Sequence, residues 1–324
     1  MSPDRTLPTG YPIASNRNQA SAQVRAASGD IVAPNTGTAP HSGPHGGTRI
    51  SRRRLHDIAA QLGTRDMAIL TTVDRYRFLT AQHIQAFQFP THRSADSAAR
   101  TCRRVLARLR GLRILGVLDR RIGGIRSGSE GMVYYIDAAG DRILRQEQPR
   151  RARRRPEEPS ARFLDHTLAI ADVATAVLGE ARKRGAEVVR LAPEQEATRR
   201  YTDLLGTPRA LRPDLYVELA EHPDDPDVDA YFVEVDLGQE SLPTLIGKCA
   251  AYEAYRATRT EQHMYGSFPG IVWAMDARRP QTAQRRQDSL QNALTQNLQV
   301  PSSAYLVLPL DAVPARLMEG FGHE

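Results

Sequence analysis

The stretch AYFVEVDLGQESLPTLIGKCAAYEAY, residues 230–255, decides the fold and poses the question of function. An apolar strand ends there in two acids, Glu234 and Asp236. Side chains two positions apart on a strand face the same side, so the two carboxylates project together. A turn and a helix follow, and the helical spacing places Lys248 on the same face as Tyr252. The pattern predicts a strand, a turn and a helix that bring a lysine close to carboxylates.

A third acid precedes this stretch. Asp214 follows Pro213 at the start of a predicted strand, RPDLYVELA, over residues 212–220. If this strand and the next form a hairpin, Asp214 lies near Glu234. Clustered carboxylates are costly unless a cation neutralises them, and oxygen ligands suit Mg²⁺ or Mn²⁺. Such an ion activates water and stabilises charge on a phosphate, and a nearby lysine adds to that stabilisation.

The elements around these acids predict a domain over residues 161–315. A long helix ends at Gly185, where a left-handed cap is expected. Three strands, a helix, a strand, a helix and a last strand follow. This order predicts an α/β mixed sheet with flanking helices.

Residues 52–145 predict a first, separate domain. Three helices are expected, with Thr80 capping the second and Ser94 or Ser97 near the start of the third. Two strands follow on either side of the glycine-rich turn at residues 123–131. Three helices followed by a strand, a loop and a strand predict a winged helix-turn-helix, so the overall fold class is α+β in two domains.

Arginines concentrate on the third helix and the wing of this domain. On the helix they recur at intervals of four residues, which is the expected footprint of a helix approaching a DNA groove. The expected DNA-binding residues are Arg100, Arg103, Arg104, Arg108, Arg121 and Arg126. The alternative is a winged helix used for dimerisation, with solvated arginines, and a homodimer stays open.

Composition bounds the remaining segments and the cellular setting. The chain has 324 residues, a net charge of +7 and a pI near 9.7, which suits a polyanionic partner. Residues 1–51 predict a disordered tail with a basic end, 146–160 an arginine- and proline-rich linker, and 316–324 a C-terminal tail. Two cysteines cannot make a thiolate zinc site, and no signal peptide or membrane span is evident. We therefore expect a cytoplasmic protein with no membrane partner.

Two resemblances make the prediction more specific. RPD at 212–214 and EVD at 234–236 resemble the PD-(D/E)xK nuclease superfamily, with Asp236 standing where that family has lysine. Some members supply the lysine from the neighbouring helix, as Lys248 would. The chain from about residue 60 to 315 resembles the replication-relaxation family, most clearly over EVDLGQESLPTLIGKCAAYEAY. These proteins of plasmids and mobile elements have an N-terminal winged helix.

The nuclease resemblance implies the roles of the site residues. It implies Asp214 and Glu234 as ligands of Mg²⁺ or Mn²⁺, joined by Glu196, or less favourably Glu194, from an earlier strand. The full catalytic set that follows is Asp214, Glu234, Asp236 and Lys248. His166 on the long helix also faces the site in this arrangement. The alternative is that Asp214 caps a turn and that Asp236 pairs with Lys248 or with an arginine.

Two functions remain open. The first is a metal-dependent DNA endonuclease of plasmid or mobile-element replication or transfer. The second is a DNA-binding accessory factor or transcriptional regulator whose nuclease-like domain is inactive. Both predict double-stranded DNA as a partner, together with plasmid replication or transfer proteins. No Gly-x-x-x-x-Gly-Lys-Ser/Thr loop occurs, which argues against NTP hydrolysis.

Overall fold

The computed structural model describes residues 50–90, 94–118, 132–149, 151, 158–223, 225–277, 279–297 and 300–320. These residues belong to one unit that spans Arg49–Glu324. Most of the predicted N-terminal tail, the wing turn, most of the linker and the end of the C-terminal tail lie outside the described residues. Arg121 and Arg126, two of the expected DNA-binding residues, also lie outside them.

The first half of the described chain is mainly helical. Thr80 caps the third helix by accepting from the His83 N–H at 3.2 Å, and Ser94 caps the fourth through the Ser97 N–H at 3.2 Å. Both caps confirm the predicted helix starts. The elements are α1 (Arg52–Ala59), α2 (Thr64–Tyr76), β1 (Leu79–Thr80), α3 (Ala81–Gln88), α4 (Ala95–Gly111), β2 (Leu115–Val117), β3 (Val133–Ile136) and α5 (Ala138–Glu147). The three strands form an antiparallel sheet in the order β1-β3-β2.

The second half contains the larger sheet. Its first helix ends at Gly185 in the left-handed conformation, with φ of 77°, as predicted. The elements are α6 (Ala161–Arg184), β4 (Glu187–Pro193), β5 (Arg199–Thr202), β6 (Pro208–Leu211), β7 (Leu215–Ala220), β8 (Asp229–Asp236), α7 (Leu242–Ala257), α8 (Thr260–Tyr265), β9 (Gly270–Met275), α9 (Pro280–Gln296), a 3-10 turn (Ser302–Ala304), β10 (Tyr305–Pro309) and α10 (Val313–Leu317).

Strand pairing confirms the predicted mixed sheet and hairpin. Five strands lie in the order β10-β9-β8-β7-β4. The pairs β10–β9 and β9–β8 are parallel, whereas β8–β7 and β7–β4 are antiparallel. Leu215 of β7 is paired with Val233 of β8, so Asp214 lies beside Glu234 at the edge of the hairpin. The protein is therefore a mixed α+β structure.

The sheet separates two apolar layers. Along β8, Val233 and Val235 pack with α6 residues such as Ile170, whereas Phe232 packs with Tyr252 of α7 and residues of α9. Alternation along a strand explains this division, and it places Glu234 and Asp236 on the side of α7 and α9. The first layer also includes buried residues of α2 to α5, so the two halves of the described chain share a core.

Several short elements differ from the prediction. Residues 187–201, which the sequence predicted to hold one strand, contain β4, which ends at Pro193, and most of β5, which pairs with β6 as a separate hairpin. The basic arm contains α1, because Ser51 caps it and Leu55 and Ile58 are buried on one side. α8 and α10 were not predicted either. Within the described part of the chain, no helix is long and apolar enough to cross a membrane.

Candidate functional site

The site begins with Asp214, held where β7 and β8 meet. Its Oδ2 accepts the backbone N–H of Val235 at 2.8 Å, and its Oδ1 lies 3.1 Å from Nε2 of His166 on α6. Its backbone carbonyl accepts the N–H of Glu194 at 2.8 Å. The first two bonds tie the carboxylate to β8 and α6 and fix its direction, and the third holds the backbone of Asp214.

Glu234 is buried, and both of its carboxylate oxygens accept hydrogen bonds. The residue is 2% exposed. Its Oε1 accepts the hydroxyl of Tyr252 at 2.6 Å, and its Oε2 accepts the ammonium of Lys248 at 3.2 Å. The two donors lie four residues apart on α7, so one helix face delivers both. Of the two strand acids that Lys248 was predicted to reach, it contacts Glu234.

The protonation of Glu234 is strongly perturbed. Burial raises the pKa of its carboxyl to about 7, and the charge of Asp214 adds to the rise. Lys248 and the Tyr252 hydroxyl oppose it. Two carboxylates crowded in a buried place are the arrangement that a bound cation would relieve, and such perturbed groups concentrate at functional sites.

Lys248 acts as a fixed positive charge. Burial disfavours its ammonium, but Glu234, Asp214 and Glu240 outweigh that effect and raise its pKa above the ordinary value. The ammonium lies 3.1 Å from Glu240 and 5.8 Å from the ring centroid of Trp273. At neutral pH this lysine carries no free lone pair, so it can stabilise an anion but cannot serve as a base.

His166 is the proton-bearing group on the other side of Asp214. Burial lowers its pKa, but the hydrogen bond and charge of Asp214 outweigh burial, with a contribution from Glu194, and the pKa rises. Lys248 acts against this rise. The raised pKa favours the protonated imidazole beside the carboxylate, and the contact with Asp214 confirms that His166 faces the site.

Asp236 has its own cation. Its Oδ2 accepts from Nε and Nη2 of Arg286 on α9 at 2.9 and 2.6 Å, and its Oδ1 accepts the N–H of Gly238 at 3.2 Å. The residue is 2% exposed. This is the arginine pairing that the sequence left open, and it gives Asp236 a structural partner separate from Lys248.

The two earlier acids differ in their surroundings. Both oxygens of Glu196 accept from Arg75 of α2, at 2.7 Å each. Glu194 lies 3.6 Å from Arg77, and its charge reaches His166. The structure therefore brings Asp214, Glu234 and Lys248 together and ties Glu196 to α2.

A cleft of about 240 Å³ opens beside these residues. The first turns of α6 contribute Arg162 and His166, and the β8–α7 segment contributes Asp236, Glu240 and Lys248. Cations and carboxylates therefore face the same space, which suits a phosphate group that arrives with a metal ion.

The carboxylates fit a divalent metal ion of the Mg²⁺ class. Each oxygen of Glu234 accepts one hydrogen bond and keeps capacity for a second partner. Mg²⁺ is commonly held by one or two carboxylates and completed by water and substrate phosphates. Among the described residues, the group of three metal-ligating side chains whose ligand atoms lie close together is Glu221, His222 and Asp225. These residues lie in the β7–β8 loop, at the end of β7 away from Asp214.

The expected DNA-binding arginines that the structure describes lie on α4. Arg100, Arg103, Arg104 and Arg108 are all exposed. Arg108 also forms an ion pair with the buried Asp66 of α2, so it stabilises the helical part itself.

Two partners of the predicted site residues were not predicted. Arg286 and Glu240 bind Asp236 and Lys248 respectively. Arg286 lies 50 residues from Asp236 in sequence and carries no local signal. Tyr252 had a signal, its four-residue spacing from Lys248, which placed it on the correct face.

Comparison with known proteins gave one match. The model of a family described as replication-relaxation matches residues 70–271, more than half of the chain. Neither curated proteins nor solved structures gave a match. The matched residues include α4 together with Asp214, Glu234 and Lys248.

Proposed function

We propose, since the chain belongs to the replication-relaxation family, that it binds double-stranded DNA and hydrolyses phosphodiester bonds with a divalent metal ion. Family membership suggests a role in plasmid or mobile-element replication. The observation that carries the catalytic proposal is the Glu234–Lys248 contact of 3.2 Å beside Asp214. That contact supplies on a helix the cation that the strand motif lacks.

The architecture that we propose has two functional parts. The helices α2 to α4 with the small sheet would form a winged helix-turn-helix, with α4 as the groove-binding helix. The five-stranded sheet with α6, α7 and α9 would form a PD-(D/E)xK-like core. The shared apolar layer supports a fixed geometry between DNA bound at α4 and the acids.

The roles of the residues follow from their contacts. Asp214 and Glu234 would hold Mg²⁺ or Mn²⁺, which when bound supplies water activation and neutralises charge on the phosphate. Lys248 would stabilise the pentacovalent phosphate as a permanent cation. His166 would orient Asp214 and hold a proton beside it. Tyr252 is buried and its pKa is raised well above the ordinary value, so it suits a hydrogen-bond donor and not a covalent nucleophile.

A second candidate is a non-catalytic DNA-binding factor of replication, transfer or transcription. The observation that favours it is the neutralisation of Asp236 and Glu196 by arginines. These pairings leave Asp214 and Glu234, which contact His166 and Lys248, as the two carboxylates for a metal ion. Under this reading the site is a structural polar cluster.

Incubation with supercoiled plasmid tests the two candidates. Wild-type protein, Asp214→Asn and Lys248→Met are compared with and without Mg²⁺ or Mn²⁺, after DNA binding has been matched. Removal of transition-state charge stabilisation is expected to slow cleavage by about 10²–10³-fold in Lys248→Met. Arg285→Met, at an exposed position on the neighbouring helix α9, is the control and should cleave like wild type.

The outcomes separate the candidates. Metal-dependent nicking that both site variants lose supports the hydrolase. Equal absence of cleavage in wild type and variants that still bind DNA would support the second candidate. Cleavage that persists in Asp214→Asn would place the reaction elsewhere.

A further inference from the structure

The β5–β6 hairpin presents two leucines to solvent. Leu204 is 76% exposed and Leu205 is 91% exposed, at the turn between the strands. Water-exposed apolar side chains placed together at the end of a projecting element mark contact surfaces. Neither leucine packs in the two core clusters of the described residues, so neither is needed there for folding.

The turn that carries them is well held. Oδ1 of Asp203 accepts the N–H groups of Leu205 and Thr207 at 3.0 and 2.8 Å, and its Oδ2 accepts Arg209 at 2.9 Å. Gly206 adopts φ of 82°, which closes the turn without a side-chain clash. The leucines therefore project from a defined loop.

The base of the hairpin is anchored to the main domain. Nε of Arg199 donates to the buried Glu261 at 2.6 Å, and the Tyr201 ring lies 4.9 Å from that of Tyr255. Leu211 is buried on the same face. An anchored base and a held turn make a stiff projection, which loses little freedom when it binds.

The outer face of the hairpin carries two exposed arginines, which suit a polyanionic partner. Arg200 is exposed there, beside the small exposed side chains of Thr202, Pro208 and Ala210, and the exposed Arg212 follows β6 directly. The charged face and the apolar turn are thus continuous. This combination is typical of proteins that bind the DNA backbone and insert an apolar side chain between two base pairs.

The hairpin is also joined to the site. β6 ends at Leu211, and the carboxylate of Asp214 follows after two residues. DNA that lies along the outer face would therefore approach Asp214. We propose that the β5–β6 hairpin is a DNA-distorting element, in which Arg200 and Arg212 bind the backbone and Leu204 and Leu205 wedge into a base step. This rests on the proposed binding of double-stranded DNA, but not on cleavage.

A topology assay tests the wedge without knowledge of the DNA site. A closed circular plasmid is relaxed by a metal-independent topoisomerase in EDTA, with wild-type protein bound, and its topoisomers are then separated after protein removal. Partial unstacking by a wedge untwists DNA, so wild type is expected to shift the distribution to lower linking number in proportion to bound protein. Leu204→Ser with Leu205→Ser is expected to lose this shift at equal occupancy.

Matched variants show whether the effect belongs to the hairpin. Val228→Ser removes another exposed apolar side chain, 42% exposed, in the loop at the other end of β7, and should shift the plasmid like wild type. Arg200→Gln and Arg212→Gln should each weaken binding and lower the salt slope by about 1, as loss of one phosphate contact does. Circular dichroism confirms that each variant is folded.

Each result of the topology assay either supports or overturns the wedge. A wild-type shift equal to that of the leucine variant, or bound wild type without a shift, overturns the wedge. Failure of wild type to bind the plasmid at all overturns the DNA-binding proposal and the wedge with it. The topology assay is run in EDTA, so its result does not depend on whether the protein cleaves DNA when a metal ion is present. Vesicle binding or self-association that depends on the leucines, with no topological effect, would assign the turn to a membrane or to a second copy and overturn the proposal.

Discussion

The ion pair between Asp236 and Arg286 gives the most direct test of how this site is built. We consider Arg286→Met, which keeps much of the apolar stem and removes the guanidinium. The substitution leaves the buried Asp236 carboxylate with the Gly238 N–H as its remaining hydrogen bond among those described above. It also removes the 2.7 Å bond from Arg286 to the Glu240 carbonyl, which fixes the turn before α7.

The expected loss is large for a single substitution. Removing one partner of a buried ion pair costs about 3–5 kcal/mol, because the other charge stays buried without compensation. The Arg286 side chain is 21% exposed, so water can reach part of the space that it vacates. We therefore expect the lower end of the range, about 3 kcal/mol of the free energy of unfolding.

Guanidinium unfolding provides the assay. Trp273 is the single tryptophan, is buried, and lies under Lys248, so its fluorescence reports on this sheet. Coincidence with far-UV circular dichroism checks that the transition is two-state. Arg285→Met, one position away and exposed, is the control and should change stability by no more than about 0.5 kcal/mol.

A second substitution isolates the electrostatic cause. Asp236→Asn removes the charge that Arg286 compensates, so the double variant should recover about 2 kcal/mol relative to the sum of the single changes. A loss below about 1 kcal/mol for Arg286→Met, with additive behaviour in the double variant, would refute the view that this pair holds a buried charge.

Three further results are expected. In metal-free buffer, the free energy of unfolding should fall as pH rises from about 5 to 7. Glu234 has a pKa of about 7 in the folded protein against 4.5 in the unfolded chain, so the folded protein holds a proton that the unfolded chain releases. Glu234→Gln should remove this pH dependence, which is worth about 3 kcal/mol, in unfolding experiments at each pH. The double variant Arg100→Glu with Arg104→Glu should weaken duplex binding more than tenfold (about 1.4 kcal/mol), as measured by fluorescence anisotropy. Arg285→Glu should not weaken it, and an equal loss in both would assign the effect to net charge. Tyr252→Phe should cost about 1–2 kcal/mol in unfolding, because Glu234 loses a buried donor with little change of shape, and unchanged stability would contradict the contact.

Local patterns were sufficient for much of the fold. The alternation along β8, the four-residue spacing on α7 and the serines at 94 and 97 act over a few residues, and each predicted its element; of the two serines, Ser94 is the cap. The hairpin that places Asp214 beside Glu234 followed from two neighbouring strands with a short connection. Short-range geometry therefore predicted which acids and which lysine meet.

The partners of the other acids depend on tertiary packing. Glu196 binds Arg75, which lies 121 residues away, through the docking of α2 against the strands of the main sheet. No periodicity reports such a contact. The β5–β6 hairpin was missed for a related reason: β6 is four residues long and begins with proline, so its strand signal is weak.

The acid at position 236 and the lysine on α7 are linked features of this site. Glu234 and Asp236 face the same side of β8, and each has a cation from a different helix, Lys248 from α7 and Arg286 from α9. A lysine at position 236 would place a second positive charge beside Arg286 in a mostly buried place, where like charges repel and burial disfavours the ammonium. The strand therefore cannot carry the cation while α9 carries Arg286, and the lysine must come from α7. The departure from the Glu-x-Lys pattern thus reflects a rearrangement of charge that still leaves a cation on Glu234.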